Sequence, residues 1–123
     1  MSQAIEAHRK AVNASLQEMA SNLIDVLGRV VVAGIVGVRN PKTVSRWANG
    51  DVESVRDRYS EERLLALHQI VTLMQEQEAN ATIRAVVIGM SPVLNDSSPA
   101  TAVRDGNFKG AMDAAKNFLA GGY

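Results

Sequence analysis

Within five residues the chain places Lys42, Thr43, Ser45 and Arg46, with Arg39 just upstream. Cations and hydroxyls at that density are the donors that grip phosphate oxygens, and a guanidinium fork also matches the acceptor edges of bases. The chemistry on offer is binding, with no bond made or broken. To act together these side chains must share a rigid element. Val44 and Trp47 lie three apart, hence on one helical face, and can anchor that element to a core while the donors point elsewhere. Asn40-Pro41 reads as the start of the helix, because asparagine is a strong N-cap and proline at the first position sacrifices no hydrogen bond. Gly50 closes it, since glycine takes the left-handed conformation at low cost.

Upstream, Ala33 and Gly37 are four apart, so a small residue can sit at a helix crossing while glycine makes the turn. Val38 follows as an apolar plug. The stretch 32–50, VAGIVGVRNPKTVSRWANG, therefore resembles the two helices of a DNA-binding helix-turn-helix, whose second helix lies in the major groove. Between Gly37 and Val44 the chain is one residue longer than the usual spacing, which predicts a looser turn or a rotated second helix. The resemblance implies duplex DNA as a ligand, contacted by Arg39, Lys42, Thr43, Ser45 and Arg46. A plainer reading stays open: an ordinary two-helix corner carrying a solvated polar face.

Net charge is zero, which argues against indiscriminate binding to nucleic acid or an anionic membrane. The distribution is uneven, however. Residues 26–50 hold the cations Arg29, Arg39, Lys42 and Arg46 and no carboxylate, which suits base contacts made by a dimer rather than bulk charge. There is no cysteine, so disulfides and thiol chemistry are excluded. His8 and His68 sit in different segments; His68 is expected as a hydrogen-bonded core residue and His8 as a helix-surface one. No carboxylate pair comes with a matching histidine and no nucleophile with a base, and Gly34 and Gly37 lack dinucleotide-fingerprint spacing. A non-enzyme with no cofactor and no metal is the expectation. With no signal-peptide core and no apolar run approaching a membrane span, the expected compartment is the cytoplasm.

Apolar residues make up 46% of the chain and aromatics only 4%, so any core must be built of Leu, Ile, Val, Ala and Met. Their spacing is helical throughout, predicting a compact all-α fold with an N-terminal part, 1–55, and a second helical part, 56–123. Ile5, Val12, Leu16, Met19, Leu23, Ile24 and Leu27 predict one or two amphipathic helices ending at Gly28. Residues 51–60 read as a loop or short turn, with Ser60 as the N-cap of a helix running to about residue 79. That helix is apolar nearly all round, so it must be either the hub of the monomer or the seam of a dimer. Further helices are expected over 81–89, from Ser98-Pro99 to Gly106, and from Asn107 through a stripe of Phe108, Met112, Phe118 and Leu119. Gly121-Gly122-Tyr123 forms a tail that either inserts into a partner cleft or stays loose.

The second half carries its own resemblance. Arg84 on a helix, the run Met90-Ser91-Pro92-Val93-Leu94-Asn95-Asp96-Ser97-Ser98-Pro99, then Val103-Arg104-Asp105-Gly106 and the last helix are similar to the toxin-binding domain of Xre/MbcA/ParS antitoxins. With the helix-turn-helix, the resemblance spans roughly residues 20–120. Val86 stands where that family often has tryptophan, and Asp96-Ser97 where it has glycines. The resemblance implies an antitoxin that blocks the active-site cleft of a RES-domain toxin, an ADP-ribosyltransferase-like NAD consumer. It also implies repression of a shared promoter by a homodimer or larger hetero-oligomer. The implied toxin contacts are Arg84, the 92–99 loop with Asn95 and Ser98, and the last helix. Phe118 joins them because aromatic side chains dominate interface anchors, and Gly122 and Tyr123 because the tail could thread into a partner cleft where the phenol stacks. Two rivals follow from the same residues: a stand-alone repressor whose second half only dimerises, and a toxin-neutralising protein whose helix-turn-helix is vestigial.

Overall fold

The computed structural model describes residues 15–122; Ile5, His8, Val12 and Tyr123 lie outside them. Among the described residues the chain is all-α: α1 (Leu16–Leu27), α2 (Arg29–Val36), α3 (Pro41–Asn49), α4 (Arg58–Gln75), α5 (Asn80–Ile88), a 3₁₀ turn (Pro92–Leu94), α6 (Pro99–Arg104) and α7 (Phe108–Leu119). The only β pairing there is an isolated bridge between Ser91 and Ser97. The apolar run of residues 30–36, which β propensity alone would make a strand, is helical.

Local chemistry sets most of the boundaries. Ser15 Oγ accepts from Glu18 N at 3.1 Å to start α1, and Asn107 Oδ1 accepts from Gly110 N at 3.0 Å to start α7. Ser98 and Pro99 open α6 as expected, the serine hydroxyl accepting from Thr101 N at 3.0 Å. One start differs from expectation. The cap of α4 is Asp57, whose carboxylate accepts from Tyr59 N and Ser60 N, each at 3.3 Å. Ser60 lies inside the first turn, buried, and donates its hydroxyl to the same carboxylate at 3.2 Å. A charged cap answers more of the free amides of a first turn than a hydroxyl can.

α4 packs against α1, α2, α5, α6 and α7, which settles its role as the hub of the monomer. Leu64, Leu67, Ile70, Val71 and Met74 are essentially inaccessible, as are Leu23 and Leu27 of α1, Val32 and Val36 of α2 and Ile83 and Val87 of α5. One apolar cluster runs from Ala20 to Ala115, so the same core crosses residue 55. In α7 the deepest residues are Ala111, Ala114 and Ala115, whose small side chains let the helix approach closely. Phe108, Met112, Phe118 and Leu119 pack at its flank, half-buried. No single described helix is long and apolar enough to cross a membrane; α1 and α2 qualify only as a pair, bent by 114°.

His68 is 6% exposed, but its hydrogen bonding falls short of expectation. Nε2 lies 3.5 Å from Thr72 Oγ1, and Nδ1 has no partner among the described residues. Burial pushes its pKa below the usual imidazole value, with Glu18 pulling weakly the other way. The unfolded chain therefore takes up a proton near pH 6.5, roughly, where the folded chain still resists it. Stability should be intact above that pH and lost as pH falls from it through the lower folded-state value. Urea midpoints taken from about pH 7.5 down to about pH 5 should fall, and His68→Gln should flatten that part of the profile. An unchanged slope in the variant would assign the acid sensitivity to other groups.

The α2–α3 turn comprises residues 37–40. Gly37 has φ +86°, and both its N–H and that of Val38 donate to Ala33 O at 3.0 Å. A Cβ there would lie 3.1 Å from Tyr59 Cε1. Gly37→Ala should cost roughly 1–2 kcal/mol from the left-handed backbone alone, read as a lower urea midpoint. A midpoint equal to the parent would show that the turn can rearrange.

Candidate functional site

α3 is held from below and presents its donors above. Asn40 Oδ1 accepts from Lys42 N at 3.0 Å, and Pro41 occupies the first turn. Val44 is fully buried and Trp47 is 3% exposed, both packed toward α1 and α2. Arg39, Lys42 and Arg46 are exposed, and none of them makes an ion pair among the described residues. Thr43 and Ser45 are half-buried. Ser45 Oγ accepts from Arg29 Nη1 at 3.4 Å, so the α2 arginine leans onto the face of α3. Arg29 therefore joins the basic surface, a placement that its distance in sequence from Ser45 concealed.

A cleft of about 700 Å³ opens beside this face, between α3 and the 50–57 loop. Val38, Trp47, Val52 and Val55 give it an apolar floor, and Arg46 and Arg56 stand at it. Val55 is buried although it belongs to no periodic pattern; it closes the loop against the core.

The other end of the molecule gathers only part of the expected set. A second cleft, of about 300 Å³, lies between the end of α5, the start of the 91–98 loop and the end of α7. Phe118 and Gly122 line it together with Val86, Met90 and Pro92. Met90, in that lining, is 81% exposed, and Ile88 and Val93, close to it in sequence, are exposed as well; exposed apolar side chains of this kind are common at partner surfaces. Arg84, Asn95 and Ser98 are not in that lining. Arg84 Nη1 donates to Leu27 O at 3.1 Å, clipping α5 to the α1–α2 corner. Ser98 is committed to its cap. Asn95 ends the 3₁₀ turn in the left-handed region, φ 53°, and Asp96 follows at φ 67°. The aspartate thus adopts the backbone that a glycine would take there at no steric cost.

A cluster with no sequence signal joins α4 to α6. Arg63, 7% exposed and without a carboxylate partner, donates from Nε to Arg104 O at 3.0 Å and from Nη1 to Tyr59 O at 3.1 Å. Its guanidinium stacks 3.1 Å from the Tyr59 ring centroid, and the Tyr59 hydroxyl also donates to Arg104 O, at 3.1 Å. These contacts neutralise the negative end of α6 and tie it to the start of α4. Among the described residues no group of three His, Cys, Asp or Glu side chains could hold a metal ion. Comparison of the chain with family models, curated proteins and solved structures returns no match.

Proposed function

We propose that this chain is an antitoxin-type DNA-binding regulator. In this reading α3 contacts operator DNA through Arg39, Lys42 and Arg46, with Thr43, Ser45 and Arg29 in support. The α5–α7 end binds a RES-type, NAD-consuming toxin and covers its active-site cleft. The observation that carries the reading is the polarity of α3: buried Val44 and Trp47 on one side, exposed Lys42 and Arg46 on the other, with exposed Arg39 in the turn before it and none of the three in an ion pair among the described residues. A structural corner has no need of uncompensated cations on a single face, whereas a polyanion does. The partner half is supported by the apolar surface formed by Ile88, Met90, Val93 and the adjoining cleft, at the end remote in sequence from α3.

Co-expression tests the partner half. A RES-domain protein encoded beside this chain should arrest growth and deplete NAD, and the chain should reverse both. Met90→Asp combined with Val93→Asp should abolish that rescue while leaving duplex affinity unchanged, because both side chains are exposed and far in sequence from α3. Failure of the unaltered chain to copurify with the toxin or to restore growth would reject the antitoxin reading and leave a DNA-binding protein alone.

A further inference from the structure

The cleft between α3 and the 50–57 loop has the size of a small-ligand site and an asymmetric charge. Of its charged residues, Arg46 and Arg56 make no ion pair among the described residues, whereas the Asp57 carboxylate is occupied by Tyr59 N, Ser60 N and Ser60 Oγ. Glu53 is the one remaining carboxylate in the lining, so two free guanidinium groups face a single free anion. Beneath them lie Val38, Trp47, Val52 and Val55. Val52 is 40% exposed, so part of this apolar lining is open to solvent.

We propose that this cleft binds a small amphipathic organic anion, an apolar body seated on the valines and the indole with its carboxylate or sulfonate between Arg46 and Arg56. Arg46 is also a donor toward DNA in the function proposed above. An anion held there removes that donor and places negative charge where a phosphate must come, so ligand and duplex compete. Ligand binding itself is independent of DNA recognition; only the competition rests on α3 contacting a duplex.

Trp47, the sole tryptophan, lines the cleft and reports on it directly. Anilinonaphthalene sulfonate, an aromatic sulfonate whose absorption overlaps indole emission, is the probe. It should quench Trp47 saturably, with one site per chain. Arg56→Gln, a change at an exposed position, should weaken that binding roughly tenfold by removing one charge-assisted contact. The same probe should raise the apparent Kd for the upstream duplex in a competitive manner. Absence of saturable quenching, or quenching untouched by Arg56→Gln, overturns the site. Probe binding that leaves duplex affinity unchanged overturns the competition. Duplex affinity measured without probe tests the DNA reading separately. A large loss of that affinity in Arg56→Gln would make the cleft a phosphate seat and reject the ligand.

Discussion

Replacing Lys42 and Arg46 together by alanine should weaken binding to the upstream duplex by roughly two orders of magnitude and leave the unfolding transition in place. Both side chains are exposed, and neither makes an ion pair that the fold could miss. Each contact from a cation on such a helix to a base edge is worth about 1–3 kcal/mol, and each phosphate contact adds about one to the salt slope. The loss should therefore come with a shallower salt dependence if phosphate contacts dominate, or with relaxed sequence preference if base contacts do. Fluorescence anisotropy across a salt series separates the two. Trp47→Ala is the instructive contrast. Trp47 is 3% exposed, so its loss should cost about 3–5 kcal/mol through an emptied core site. Weak DNA binding in that variant would report unfolding and nothing about the interface.

The second large effect is expected at Arg63, which lines neither of the two clefts. Arg63→Ala should lower stability by about 3 kcal/mol, because two charge-assisted hydrogen bonds, the stack on Tyr59 and a buried side-chain volume go together. Burying a cation without a counterion is costly, and here the carbonyls of Arg104 and Tyr59 and the tyrosine ring stand in for the missing carboxylate. Arg63→Lys should recover less than half of the loss. A point-like ammonium cannot span both carbonyls and lie flat on the ring as a planar fork does. Thermal and urea unfolding would read these differences. A lysine variant as stable as the parent would show that charge alone, and not geometry, matters at this position.

The two cases also mark where sequence reasoning succeeds. Asn40-Pro41, Ser98-Pro99, Asn107 and the glycines at 28, 37 and 50 set helix boundaries through bonds to their own neighbours, so their roles were legible locally. The start of α4 was not, because Asp57 and Ser60 are both capping residues three apart and the apolar periodicity begins only at Leu64. Ser60 turned out to serve the cap from inside the helix. The role of Arg63 had no sequence signal, since its acceptor at Arg104 lies 41 residues away. Arg84, expected at a partner surface, is exposed, and its additional bond to Leu27 O, 57 residues away, was equally hidden in the sequence.

The candidate surfaces divide similarly. The donors of α3 share a face because helical spacing dictates it, so their grouping could be read from the chain. The cleft beside them could not. One of its walls is the 50–57 loop, whose Val55, aperiodic in sequence, is buried in the common core. Phe118 and Gly122 converge on a second cleft, completed by Val86 and Met90, which the sequence showed only as a departure from the resembled family and the start of its loop run.

The account stands or falls on whether residues 40–46 touch a duplex. An amide chemical-shift titration of the isotope-labelled chain with its upstream DNA asks this residue by residue. Saturating shifts concentrated on Arg29 and residues 39–46, with α5 and α7 quiet, are the expected result. Shifts that are absent, or that gather on α5–α7 while Lys42 and Arg46 stay still, would contradict it.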